Sequence, residues 1–430
     1  MTTLHVHGGI PLQGKVRIQG SKNAALPILA ATLLTGETSR IRNCPKIADV
    51  QHMVSLLRSL GCRVSRTEEG YLIDSAGAGA CNMSGEAITG MRSSLCMLGA
   101  MLGRFGEVTM EHPGGCVIGK RPIDLHLQGL EQMGVSFSEE EGRLTGRIPK
   151  ELHGAQIRLL VSSVGATENI LLAAVQAVGD TVITGAAMEP EVQALCRYLM
   201  ACGARIEGVG SSVLRIRGGG GLHGADFAIP ADRIVAGTYL FACVGCGGSV
   251  FLENAPCDEL ESVVQVAELM GAKCQPDCEA GLYGADYGHE RGLYVQSSKR
   301  PKAMARLRTA VYPGFPTDLQ SMALTVLTKA DGRSSVEETI FENRFRVVES
   351  LRRMGADIEL QNPNVAFVRG VPKLYGAKVE ACELRGGAAL VLAGLMAEGE
   401  TTVTGCAYIE RGYENIGKDL RDLGARIVSV

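Results

Sequence analysis

Six times along the chain a helix-like segment ends in a glycine and gives way to an extended run: "SLLRSLGCRV", "GLEQMGVSF", "YLMACGARI", "AELMGAKC", "SLRRMGADI" and "DLRDLGARI". The glycines are Gly61, Gly134, Gly203, Gly271, Gly355 and Gly424, at a period of about 70 residues. A chain leaving a helix commonly turns through the left-handed region, which strains every side chain except glycine's absent one. Each of these glycines therefore reads as a helix stop. A second phrase alternates with the first, an apolar segment, a glycine and a β-rich run: "LLTGETSRI", "GRFGEVTM", "AVGDTVIT", "GCGGSVFL", "ADGRSSVE" and "AEGETTVT". Its glycines are Gly36, Gly106, Gly179, Gly248, Gly332 and Gly399. Two markers in one order predict six copies of one unit, read as strand, helix, paired strands, helix.

The apolar segments "AALPILAATLL", "SSLCMLGAML" and "AALVLAGLMA" are nearly uncharged on every side. Helices of that kind are buried all round, so sheets are expected to pack about central helices. A chain of 430 residues exceeds one ordinary core, and six units divide most simply into three and three. The expected domains are 22–233 and 1–21 with 234–430, joined by a double crossover at "IQGSKNA" and "AIPADRIVAG". The initial strand segment "TLHVHGGIPLQGKVRI" is available to close the second domain. A site is expected in the cleft between the two.

Charge narrows the function classes. The chain has 43 Lys+Arg against 46 Asp+Glu, a formal net charge of -3, without the basic excess of a nucleic-acid binder. No tryptophan and 4% aromatics leave little for a base-stacking platform. The longest apolar runs are about half of what a membrane span needs, and "MTTLHVHGGI" lacks a signal-peptide pattern. Fourteen cysteines in such a chain read as reduced thiols of a cytoplasmic protein. The Cys243/Cys246 pair lies within "AGTYLFACVGCGGSVFL" and reads as buried packing rather than metal ligation. "RGGGGLHGAD" reads as a loop, because no helix pattern opens directly after it.

Certain polar residues break the logic of the repeat. Lys22 and Asn23 open an apolar helix in "GSKNAALP", Arg92 opens "MRSSLCMLGAML", and Arg385 stands in "ELRGGAALVL". A cation at a helix N-terminus faces the positive end of the dipole and needs an anion nearby. Arg344 in "FENRF" and Arg411 in "IERGYEN" join this set. In "HPGGCVIGKRPID", Cys116 lies between two glycines and the cations Lys120 and Arg121, the setting of a reactive thiol on a mobile loop. Ser163 in "VSSVGATENILL" caps a helix whose first turn, Val164 and Gly165, presents N–H groups; a plain cap and a phosphate site are both open readings. Asp318 in "PGFPTDLQSMALTVL" is likewise either a cap or a general base.

The segments "GSKNAALP", "PGGCVIGKRPIDLH", "SVGATEN", "FPTDLQ", "FENRF", "LRGGAALVLAGL" and "RGYENI", in this order, resemble the family of UDP-N-acetylglucosamine 1-carboxyvinyltransferases, which are enolpyruvyl transferases. The resemblance implies an α/β fold of two inside-out barrels, each of three repeated units. It implies transfer of the enolpyruvyl group of phosphoenolpyruvate to the 3′-hydroxyl of UDP-N-acetylglucosamine, with release of phosphate, at the first committed step of peptidoglycan precursor synthesis. No metal or organic cofactor is implied, and a monomer is compatible with it. By motif, Lys22, Arg92, Arg121 and Arg411 resemble the grip on phosphoenolpyruvate. Cys116 resembles the cysteine that adds to it, helps protonate its methylene carbon and is alkylated by fosfomycin. Asp318 resembles the carboxylate beside the attacking hydroxyl, and Asn23 and Ile340 resemble sugar contacts. Arg121, Pro122, Ile123, Asp124 and Leu125, with Ser163, Val164 and Gly165, resemble the nucleotide-lining segments. Arg344 and Arg385 resemble residues supporting closure.

Two positions depart from the family pattern. Glu383 stands where "DLR" is usual, and Val161 stands where some members carry a nucleotide-contacting lysine. Related readings are 5-enolpyruvylshikimate-3-phosphate synthase, which lacks the cysteine loop, and a silent UDP-sugar-binding paralogue, which does not need Lys22, Cys116, Asp318 and Arg411 together.

Overall fold

Alanine, leucine and glycine dominate six helices, and these residues leave no polar face to turn toward water. In a computed structural model of the chain, which describes residues 3–79, 82–83, 92–111, 119, 122–277, 291–297 and 300–430, those six helices are the centres of two compact units. One unit is formed by the described residues of Met1–Gln19, Val117–Lys120 and Ala231–Val430, the other by those of Gly20–Cys116 and Arg121–Pro230. In the first, helices Arg233–Cys246, Gln320–Leu327 and Leu384–Met396 pack against one another. In the second, helix Met97–Phe105 packs against Lys22–Ala31 and Val164–Ala174. Side chains such as Ile28, Leu29, Leu171, Leu240, Leu324 and Leu392 are fully buried, each contributing about 1.5–3 kcal/mol on removal from water.

Among the described residues, three four-stranded sheets surround the helices of each unit, and all six sheets share one pairing pattern. The sheet with central strand Glu107–Glu111 shows it. Edge strand Asn82–Met83 runs parallel to that strand, and the hairpin Ser136–Glu140 and Arg143–Arg147 completes the sheet antiparallel. Each repeat is therefore strand, helix, strand, helix, hairpin, one strand more than the periodicity indicates. The additional edge strand is two or three residues long in five repeats, for example Gln156–Arg158 and Leu307–Arg308. That is too short to show an alternation. In the sixth the edge strand is the longer Leu12–Arg17, parallel to Gly248–Glu253. In another sheet the two ends of the chain meet: Leu4–His7 pairs antiparallel with both Glu400–Thr404 and Arg426–Ser429.

The two glycine series mark the turns of this unit. All twelve glycines have φ between 66° and 120°, the left-handed region in which a β-carbon meets the following carbonyl. At Gly61 an added β-carbon would also fall 2.6 Å from the Gly77 carbonyl oxygen. The residues 218–225 of the glycine-rich stretch form no helix or strand. Cys243 is buried, its thiol donating to the Val295 carbonyl at 3.6 Å, and burial pushes it up to about 12.

Candidate active site

The unit containing residues 231–430 carries a charged cluster at the N-terminal ends of two central helices. Asp318 lies in the 3-10 turn Thr317–Leu319 that leads into Gln320–Leu327. Arg385 is the second residue of Leu384–Met396, and Arg344 opens the 3-10 turn Arg344–Val347. One Asp318 oxygen accepts from Arg344 Nη2. The other accepts from Arg385 Nε at 3.2 Å and Nη2 at 3.1 Å. Both arginine side chains are 3% exposed while Asp318 is 24% exposed, so the carboxylate is the member of the cluster that solvent reaches.

The electrostatics follow from this arrangement. Burial raises the Asp318 carboxyl, but the guanidiniums of Arg385 and Arg344 reverse that effect and hold it well below the usual carboxylate range. Burial works against the charge on Arg385, yet Asp318, Tyr413 and Asp232 together move it upward, so it stays cationic. Its guanidinium carbon lies 5.7 Å from the Tyr413 ring centroid, and Tyr413 is fixed in turn by Thr238 Oγ1 at 2.8 Å. Arg385 Nη1 is buried with no hydrogen-bond partner among the described residues. It is a donor left over inside the cluster, at a cost to the protein alone.

Glu383, the departure from "DLR", caps the helix that presents Arg385. It accepts from the Arg385 N–H at 2.8 Å and from the Gly386 N–H, and its Oε2 is 3.8 Å from Arg344 Nη1. The longer side chain fits because residue 386 is glycine: a β-carbon there would fall 2.6 Å from Glu383 Oε1. Glu383 thus caps the helix start and holds the Arg385 backbone N–H. Arg411 ends the 3-10 turn Cys406–Arg411 and is half-buried. The loop after it is pinned by Gln19, which donates to the Gly412 carbonyl at 3.0 Å and accepts from the Glu414 N–H at 2.8 Å.

In the other unit Lys22 is the first residue of Lys22–Ala31, whose N-cap Ser21 accepts from the Ala24 N–H at 3.3 Å. Its ammonium lies 2.6 Å from Asp49, a fully buried carboxylate in the first turn of Ala48–Ser59. The anions that offset Lys22 and Arg385 at their helix ends are thus protein carboxylates, which sequence pattern alone does not reveal. Asn23 is half-buried, and because Pro27 has no N–H, the Asn23 carbonyl receives no helical bond from it. Arg92 opens a 3-10 turn, Arg92–Cys96, rather than the α-helix itself.

Helix Asp124–Glu131 packs against helix Val164–Ala174 within this unit. Ile123 precedes helix Asp124–Glu131, with Asp124 exposed in its first turn. From that helix the His126 ring accepts at Nδ1 from the Asn169 amide nitrogen at 2.9 Å, which places its proton on Nε2. Asn169 also donates to the Gly165 carbonyl at 3.3 Å and accepts from the Gly99 N–H at 2.6 Å. Ser163 caps its helix through the Ala166 N–H at 3.3 Å. A β-carbon at Gly165 would lie 2.9 Å from His126 Cε1, so the glycine is required by the histidine that joins the two motifs. Val161 is exposed and contributes no cation here. Cys116, Lys120 and Arg121 lie outside the described residues. Sequence pattern does not single out Asp49, His126, Asn169, Tyr413 or the capping role of Glu383; the repeat register, which places Asp49, His126 and Glu383 at helix N-termini, is the available signal for those three.

The comparisons agree with the family resemblance. The family profile of EPSP synthase (3-phosphoshikimate 1-carboxyvinyltransferase) matches residues 6–420. The chain is 44% identical over 430 residues to UDP-N-acetylglucosamine 1-carboxyvinyltransferase 2 of Caldanaerobacter subterraneus subsp. tengcongensis, covering all of both chains. It is 45% identical over 427 residues to UDP-N-acetylglucosamine 1-carboxyvinyltransferase of Desulfovibrio desulfuricans, covering 99% of each. Among solved structures, the enolpyruvyl transferase NikO from Streptomyces tendae superposes with a TM-score of 0.86 at 23% identity, over 100% of this chain and 99% of that one. EPSP synthase from Acinetobacter baumannii does so with a TM-score of 0.75 at 19% identity, covering all of both. These two share the fold of inside-out α/β barrels.

Proposed function

The chain belongs to the enolpyruvyl transferases, in the family of the UDP-N-acetylglucosamine 1-carboxyvinyltransferases, and from that premise we propose that it transfers the enolpyruvyl group of phosphoenolpyruvate to the 3′-hydroxyl of UDP-N-acetylglucosamine. The observation that carries the reading is the Asp318 cluster: a solvent-facing carboxylate kept ionised by two buried guanidiniums. In the addition step the sugar oxygen bonds to C2 of phosphoenolpyruvate and a proton arrives at C3. In the elimination step that C3 position loses a proton and the C2–O bond to phosphate breaks, restoring the double bond.

Residue roles follow the chemistry. Lys22, Arg92, Arg121 and Arg411 bind the phosphoryl and carboxylate charges, which must be neutralised for addition to proceed. Cys116 supplies the proton for C3; where its sulfur has added to C2, the C2–S bond breaks and the thiolate departs before the sugar oxygen bonds there. Asp318 accepts the hydroxyl proton as the C–O bond forms. A carboxylate with its basicity this low is suited to orient the hydroxyl first and to take the proton late. An anionic substrate drawing N–H groups of Arg344 or Arg385 away from it would raise its basicity at that moment. Asn23 and Ile340 bind the sugar, and Arg121–Leu125 with Ser163–Gly165 line the nucleotide, the helix N-terminus at Ser163 facing diphosphate.

No helix among the described residues is long and apolar enough to cross a membrane. A cytoplasmic setting without nucleic-acid partners belongs to the same reading and rests on the near-neutral charge. Mass spectrometry of the nucleotide product tests it: a UDP-sugar bearing the enolpyruvyl group is expected. Conversion of shikimate 3-phosphate instead would place the chain with the shikimate-directed enzymes.

A further inference from the structure

Glu338 is 1% exposed and has no part in the chemistry above. It follows strand Arg333–Glu337, and both oxygens of its carboxylate are engaged within its own unit. Oε1 accepts from the Thr309 hydroxyl at 3.0 Å, the Ile340 N–H at 2.8 Å and the Phe341 N–H at 3.2 Å. Oε2 accepts from the Thr317 hydroxyl at 2.9 Å. With its proton directed to Glu338, the Thr317 oxygen is free to accept, and it receives Arg344 Nε–H at 3.2 Å. The far end of the same guanidinium donates to Asp318, the neighbour of Thr317. A second route reaches the same arginine: its guanidinium carbon lies 5.2 Å from the ring centroid of Phe341, whose N–H Glu338 fixes.

We infer that Glu338 is a positioning residue for the transfer reaction: through Thr317 it aims Arg344 at Asp318, and through two backbone N–H groups it sets the Ile340 segment beside them. This rests on the transferase reading above. The polarity of the relay is what requires a carboxylate, because only an acceptor-only group satisfies four donors at once. An amide of the same shape opposes either the Thr317 hydroxyl or the two backbone N–H groups with its own NH2. The charges around Asp318 that such a change disturbs are Arg344, Arg385, Glu383 beside Arg344, and Asp232 and Tyr413 beside Arg385.

The test is steady-state kinetics of Glu338→Gln, varying each substrate separately across pH, beside the unaltered enzyme. The expected result is a kcat lower by between about tenfold and a hundredfold, the scale of a small misplacement of reacting groups. KM for phosphoenolpyruvate should change little, and the acid limb of kcat should move to higher pH, because a loosened Arg344 depresses Asp318 less. Mere loss of folded protein lowers kcat equally at every pH and leaves the limb in place, which would overturn the inference. A wild-type kcat in Glu338→Gln would overturn it as well. Should that variant fail to fold, Thr317→Val and Thr317→Ser decide. Valine should reproduce the loss and the shifted limb, and serine, which keeps the hydroxyl, should restore both; equal activity of the two overturns the relay. An unaltered enzyme without turnover would overturn the transferase reading itself, a result distinguishable from failure of the relay alone.

Discussion

Asp318→Asn preserves shape while removing one charge, and its cost can be worked from the cluster. Three N–H groups of Arg344 and Arg385 converge on the two carboxylate oxygens, and both arginine side chains are 3% exposed. Asparagine offers one oxygen and turns an NH2 toward one of the guanidiniums. Removing one partner of a buried ion pair costs about 3–5 kcal/mol. The surviving oxygen and the 24% exposure of Asp318 place this case near about 3 kcal/mol. In a unit of about 200 residues that corresponds to a Tm lower by roughly 6–12 °C.

The pH dependence has a definite sign. The folded carboxyl lies below its ordinary value of 3.8. Its contribution is therefore complete well above that value and is lost as pH falls toward the folded one. The stability gap between the native protein and Asp318→Asn, measured by urea unfolding, should narrow by about 1 kcal/mol between pH 5 and pH 3. Turnover should fall by about a hundredfold or more, with UDP-sugar binding retained in calorimetry. A variant as stable as the native protein at pH 7, or a gap that does not narrow in acid, would refute the reasoning; full turnover would remove Asp318 from the base role.

Other perturbations test separate parts of the account. Asp49→Asn leaves the Lys22 ammonium without its 2.6 Å carboxylate partner. It should lower kcat/KM for phosphoenolpyruvate by about tenfold or more, and an unchanged value would free Lys22 from Asp49. Gly399→Ala meets no atom within 4 Å and should cost only the left-handed strain of about 1–2 kcal/mol. Gly61→Ala adds a clash with the Gly77 carbonyl and should lower the urea midpoint further; equal midpoints would contradict this. In the native protein at pH 8, Cys196, Cys243 and Cys246, each pushed up to about 12 by burial, should resist a thiol reagent while exposed Cys382 reacts. Rapid labelling of Cys243 by peptide mapping would contradict the burial.

The repeat was legible because its two glycines are forced by backbone geometry, and all twelve positions carry a left-handed φ. The central helices were legible from composition, since a helix apolar on all sides has only the interior to occupy. The short edge strands were not, because two or three residues hold no period. At the site, the misplaced cations Lys22 and Arg385 were visible as anomalies at helix ends. Their partners Asp49 and Asp318 lie 27 and 67 positions away in sequence, and no local pattern links them. Glu338 was the least legible, one acid among 46 whose four donors come together only in the fold.

The most direct measurement is inorganic phosphate release from phosphoenolpyruvate, with and without UDP-N-acetylglucosamine, before and after fosfomycin treatment. The account predicts release only in the presence of the UDP-sugar, its loss after the drug, and one drug equivalent mapped to Cys116. Absence of release with the UDP-sugar bound, or release that continues after fosfomycin has modified Cys116, would contradict it.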